Sequence, residues 1–158
     1  MSQPVDREQG ALGPAFEQPM EQPEEQPPAR SAYILLVDDD PEIRTIVREL
    51  MGQEGYAITV ARTGAEALAS APARPPALVL LDSTLPGEHP REVAAMLRQR
   101  AGWEAAPIVL FTAIERRQAT AMARAVGADA VIAKPFELDE MLALVERYLK
   151  PAHSPASD

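Results

Sequence analysis

The feature that most restricts this chain is Leu78-Val79-Leu80-Leu81, a short apolar run with no polar alternation. A strand reads this way when both of its faces are buried, as in a parallel sheet covered by helices on each side. The run extends over Ala77–Leu81, and four more of strand length accompany it: Tyr33–Val37, Ala57–Ala61, Pro107–Phe111 and Ala130–Ala133. Amphipathic stretches lie between them. Ile43, Ile46, Val47 and Leu50 follow helical spacing, with Asp40 as a predicted N-cap and Pro41 at the first helical position. Leu138, Met141, Leu142 and Val145 repeat the pattern, and Gly55 and Gly127 stand where helices need a stop. Five such βα repeats with short connections predict a doubly wound α/β protein.

Length and composition narrow the alternatives. The 158 residues suit one domain. Apolar residues make up 46% of the chain but aromatic ones only 4%, which predicts a core of Leu, Ile, Val, Met and Ala rather than of rings. The net charge of −9 opposes extended contact with nucleic acid or with an anionic membrane surface, so neither is expected as a partner. No cysteine is present, which removes disulfides, thiolate metal sites and thiol nucleophiles. No apolar run is long enough to cross a bilayer and no signal peptide is legible, so a cytoplasmic protein is expected.

Residues 1–31 differ from the rest. They hold six prolines and, with Asp6, Glu8, Glu17, Glu21, Glu24 and Glu25 against Arg7 and Arg30, a net charge of −4. Such a segment buries too little apolar surface to offset its ordering entropy and reads as a disordered tail. Phe16 and Met20, spaced by four among acids, are the one hint of a partner-binding arm. The domain is expected over 32–150, with a frayed tail over 151–158.

In open parallel sheets the functional crevice lies beyond the carboxyl ends of the strands. Asp38, Asp39 and Asp40 follow the first run, Asp82 the third, Thr112 the fourth, and Lys134 with Pro135 the fifth. Taken singly each has a plain explanation: a helix cap, a strand residue, a solvated charge. Their shared placement at one edge of one sheet argues for a site. Two carboxylates about 4 Å apart repel by roughly 4 kcal/mol at an effective dielectric of about 20. A hard divalent cation, magnesium above all, offsets that. A carboxylate beside it can attack phosphorus, with Lys134 and Thr112 stabilising charge on the transferred group.

The strings LLVDDDPEIR, LLDSTLPG, IVLFTA and AKPFELDEML resemble the signature blocks of bacterial response-regulator receiver domains, and the resemblance spans about residues 32–150. It implies a flavodoxin-like (βα)5 fold with strand order 2-1-3-4-5. It implies that Asp82 is the phosphoacceptor, that Asp39 touches Mg2+ while Asp38 acts largely through water, and that the Thr84 carbonyl is a further metal ligand. Thr112 becomes the switch hydroxyl and Lys134 the partner of a phosphoryl oxygen, with small Ala113 leaving a path open and a cis bond preceding Pro135. The implied function is a stand-alone signalling switch rather than a turnover enzyme, acting only on its own phosphorylation and dephosphorylation. The implied partners are a histidine kinase or phosphotransfer protein and a downstream protein target. The eight residues after Lys150 leave no room for a DNA-binding module, so output is expected through protein contacts. Homodimer formation on phosphorylation stays open, through a face bearing Arg116, Arg117, Arg124 and Arg147.

Three departures from the family pattern stand out. Val131 replaces the aromatic residue expected three before the lysine, so a rotating ring is absent there. Leu85-Pro86 is followed by Glu88-His89-Pro90 instead of the usual Asp-Gly, with His89 expected as an exposed loop side chain. Ile114 is apolar and with Thr84 flanks the place of an attacking water, so these two positions are expected to set the lifetime of the phosphorylated form. Other readings compete. Haloacid-dehalogenase-type phosphatases also use Asp, Thr, Lys and magnesium, but their nucleophile ends the first strand in D-x-D. A flavodoxin-like cofactor binder would place its phosphate against Asp38-Asp39-Asp40, which repels it. A receiver that binds partners without phosphorylation is the remaining alternative.

Overall fold

The computed structural model describes residues 32–149, which fall within the second of the two units into which the chain divides, Ala32–Asp158. The tails expected over 1–31 and 151–158, with Phe16 and Met20, lie outside the described residues, as does Lys150. The elements alternate strictly: β1 Tyr33–Val37, α1 Pro41–Gln53, β2 Ala57–Ala61, α2 Gly64–Ser70, β3 Leu78–Asp82, α3 Pro90–Arg98, β4 Ile108–Thr112, α4 Arg116–Val126, β5 Ala130–Ala133 and α5 Leu138–Leu149. The strands form one parallel sheet in the order β2-β1-β3-β4-β5. This is the flavodoxin-like order.

The sheet has a core on each face, because strand side chains alternate. Leu35, Val37, Val79, Leu81, Ile108 and Leu110 pack towards α2, α3 and α4. Ile34, Leu36, Leu78, Leu80, Val109 and Phe111 pack towards α1 and α5. The uninterrupted apolar runs are therefore what a sheet covered twice requires. No helix among the described residues is long and apolar enough to cross a membrane.

Several local expectations hold. The Asp40 carboxylate accepts from the Glu42 amide at 2.9 Å at the start of α1, with Pro41 next. Gly127 ends α4 at φ 82°, a left-handed conformation that favours glycine.

Other expectations are corrected. The core does contain rings: Trp103, Tyr33 and Phe111 head the fully buried side chains. A low aromatic fraction limits how many rings there are, not where they go. Ile46 and Leu138, read as buried helix positions, are 40% and 41% exposed. Ile46 stands one residue before Val47, which with Met51 carries the buried stripe of α1. Strands β3 and β4 run one residue later than their apolar runs, because Asp82 and Thr112 pair with Phe111 and Ala133 as the last rungs of the ladder. Both polar residues therefore belong to the rigid sheet.

Candidate functional site

The parallel order brings the carboxyl ends of β1, β3, β4 and β5 side by side. Asp38 follows β1, and its backbone amide donates to the Ala61 carbonyl at 2.9 Å while its carbonyl accepts from the Arg44 guanidinium at 3.0 Å. Its carboxylate is fully buried. One oxygen accepts from Lys134 Nζ at 2.7 Å and the other from the Asp40 amide at 2.9 Å. Burial still pushes this carboxyl above the usual carboxylate range, and nearby Asp82 adds to the shift. The Lys134 and Asp40 hydrogen bonds oppose it in part.

Asp82 is also buried. Its Oδ1 accepts from the Thr84 amide at 3.0 Å and the Thr84 hydroxyl at 3.1 Å, and lies 3.4 Å from Lys134 Nζ. Lys134 therefore stands between two acids. Its amide donates to the Thr112 carbonyl at 2.8 Å, and its ammonium sits 4.9 Å from the centre of the Phe111 ring. The Lys134–Pro135 bond is cis, as expected.

Asp38, Asp39 and Asp82 each offer a carboxylate oxygen within 4.8 Å of the others. Asp39 is exposed, and among the described residues no donor meets its carboxylate or Asp82 Oδ2. Three carboxyl groups thus gather around one ammonium, with oxygen acceptors unclaimed among the described residues. That donor set fits a hard divalent cation such as magnesium.

Thr112 is buried at the end of β4, and its hydroxyl oxygen is taken up elsewhere. It accepts from Ser83 Oγ at 2.6 Å and from the Ile114 amide at 3.1 Å. Ser83 is the residue that sequence reasoning passed over. Its signal was its place next to Asp82, but nothing in the string told which way its hydroxyl turns. Ala113 is exposed and Ile114 partly buried. Val131, where a ring was expected, borders a cavity of about 40 Å3 together with Thr112, Ile114, Ala119 and Ala133.

The altered loop after Asp82 has its own logic. Gly87 turns it at φ 73°, and Glu88 Oε1 accepts from the Gly64 amide at 3.1 Å, joining the loop to the start of α2. His89 is exposed, as expected, but it also caps α3: its Nδ1 accepts from the Arg91 amide at 3.1 Å, and Pro90 follows. Arg116, Arg117, Arg124 and Arg147 are all exposed on α4 and α5.

Fold and crevice together define a doubly wound α/β protein with an acidic site at the strand ends, holding one lysine and one buried threonine. The chain belongs to the response regulator receiver domain family, whose profile matches residues 34–146. Sporulation initiation phosphotransferase F of Bacillus subtilis is 34% identical over 116 residues, 73% of this chain and 92% of that protein. The transcriptional regulatory protein KdpE of Mycobacterium tuberculosis is 37% identical over 110 residues, 70% of this chain and 47% of that protein. The chain thus spans about half the length of the transcriptional regulators it matches. Among solved structures, chemotaxis protein CheY4 of Vibrio cholerae superposes with a TM-score of 0.68 at 28% identity, over 75% of this chain and 99% of that one. The receiver domain of sensor histidine kinase PA1611 from Pseudomonas aeruginosa superposes with a TM-score of 0.67 at 25% identity, over 77% and 99%. That domain has a magnesium ion coordinated in its active-site cleft. Receiver domains serve two-component systems, interact with histidine kinases or phosphotransfer proteins, and are in general not enzymes of the turnover kind.

Proposed function

We propose that this chain is the phosphoacceptor switch of a two-component phosphorelay, taking a phosphoryl group from a phosphohistidine partner onto Asp82. The observation that carries this reading is the carboxylate of Asp82 itself. It is buried at the last rung of β3, its Oδ1 is occupied by Thr84 and faced by Lys134, and its Oδ2 meets no donor among the described residues. In the transfer, a carboxylate oxygen of Asp82 forms the new P–O bond as the P–N bond of the donor breaks and its electron pair returns to the imidazole nitrogen. Lys134 neutralises charge on the phosphoryl oxygens, and Thr112 can donate its hydroxyl proton to one of them.

Asp38, Asp39, Asp82 and the Thr84 carbonyl would hold Mg2+, which supplies positive charge against the crowded carboxylates and the incoming phosphoryl group. Thr84 and Ile114 flank Asp82 and Thr112 and are read as setting the lifetime of the acyl phosphate. Output would pass to a downstream protein target, with homodimerisation one route to it.

Intact mass after incubation with a small-molecule phosphodonor and magnesium tests this reading. One added phosphoryl group is expected, lost on chelation and absent in Asp82→Ala. No adduct, under conditions that label a control receiver, would leave a module that binds partners without phosphorylation.

A further inference from the structure

The hydroxyl oxygen of Thr112 is held by partners other than the acids. It accepts from Ser83 Oγ at 2.6 Å and from the Ile114 amide at 3.1 Å, whereas the hydroxyl on Asp82 Oδ1 is that of Thr84. Ser83 and Thr112 are 5% and 1% exposed. The contact therefore joins the end of β3, beside the nucleophile, to the end of β4 through two hydroxyls shielded from water.

We propose that Ser83 is a positioning residue that holds Thr112 in a resting place and sets the threshold for Thr112 to engage a phosphoryl group on Asp82. The inference rests on the phosphoacceptor reading and adds to it a residue that regulates the same site. Phosphoryl oxygens accept hydrogen bonds, so Thr112 must bring its O–H to them. Turning that group towards Asp82 gives up the 2.6 Å contact and strands the Ser83 hydroxyl where water does not reach. A buried polar group that loses its partner carries the full cost of its desolvation, so the resting arrangement resists the change. Ser83 bonds to no carboxylate among the described residues. Removing its hydroxyl should therefore alter the balance at Thr112 while leaving the metal-binding acids as they are.

The test titrates the full chain first with magnesium alone, then with beryllofluoride, a phosphoryl mimic, in saturating magnesium. Ser83→Ala is expected to bind beryllofluoride roughly five- to tenfold more tightly than the parent, about the worth of one neutral hydrogen bond. Its affinity for magnesium alone should not change. Ser83→Thr keeps a hydroxyl and should stay within about twofold of the parent, by the same measure of one retained bond. In a Thr112→Ala background, Ser83→Ala should have no effect on beryllofluoride affinity. Ser83→Cys, a weak donor of similar size, is the second variant and should shift the same way as Ala. Equal or weaker beryllofluoride binding by Ser83→Ala and Ser83→Cys overturns the inference and leaves the phosphoacceptor reading standing, as does the same gain in the Thr112→Ala background. A parent that binds magnesium but no beryllofluoride overturns the phosphoacceptor reading, and the inference with it.

Discussion

Asp38 shows how much one residue can cost when its charge is buried. Lys134 at 2.7 Å and the Asp40 amide at 2.9 Å both favour its ionised form, yet burial prevails and its carboxyl lies above the usual range. A carboxyl raised in the native state binds its proton more tightly there than in the unfolded chain. Its contribution to stability is complete below the ordinary carboxylate range and declines as pH rises above it, so this group supports the fold less at neutral pH than in acid. Asp38→Asn is therefore expected to raise the thermal midpoint of the metal-free protein at neutral pH by a few degrees. It should also shrink the midpoint gain that millimolar magnesium gives the parent. Thermal melts of both proteins with and without magnesium decide this: a lowered midpoint combined with an undiminished magnesium gain would sink it. The acids, Thr112 and Lys134 were legible in the sequence because topology alone carries them to one edge. Ser83 and His89 were not, because a hydroxyl partner and a ring-nitrogen cap depend on side-chain rotation, which no periodicity encodes.

Among the elements, α2 and α3 meet at Gly64, which of the described glycines leaves the least room for a side chain. A Cβ on Gly64 would come within 3.1 Å of Val93 Cγ1 and 3.5 Å of Met96 Cε. Val93 is buried within a helix, where a β-branched side chain has one strongly preferred rotamer and little freedom to give way. Gly64→Ala should thus destabilise by about 1 kcal/mol, overpacking outweighing the better helix propensity of alanine. Urea unfolding of Gly64→Ala, Val93→Ala and the double variant measures it. The two losses should fail to add, and strict additivity would refute the steric account. Alternation of apolar runs with amphipathic stretches made the order of these elements readable. The ends of β3 and β4 were not, since Asp82 and Thr112 are polar residues on the last rungs of a buried ladder.

At the scale of the whole described domain, the two ends of the sheet are unlike. Carboxylates crowd the carboxyl ends of the strands, while the opposite ends are closed by rings and arginines. There the Tyr33 hydroxyl donates to the Arg74 carbonyl at 2.8 Å, with the Arg74 guanidinium 5.0 Å from the ring centre. Trp103 Nε1 donates to the Ala73 carbonyl at 2.9 Å, with Arg100 4.9 Å from its ring. Burial pushes the Tyr33 hydroxyl up to about 12, against the pull of Arg74 and Arg100. The native state thus keeps a proton that the unfolded chain releases near its ordinary value of 10. Stability from this group is complete below the unfolded value and falls as pH rises towards the native one. Alkaline urea titrations should show a loss through this window that Tyr33→Phe lacks, and parallel curves for the two proteins would refute it. The closed end also has an optical consequence. The chain has one tryptophan, and it is sealed there rather than beside the acids. Its fluorescence will signal when the protein comes apart and stay dark to what binds at the crevice, so occupancy has to be watched through a label or a nucleus placed near β4.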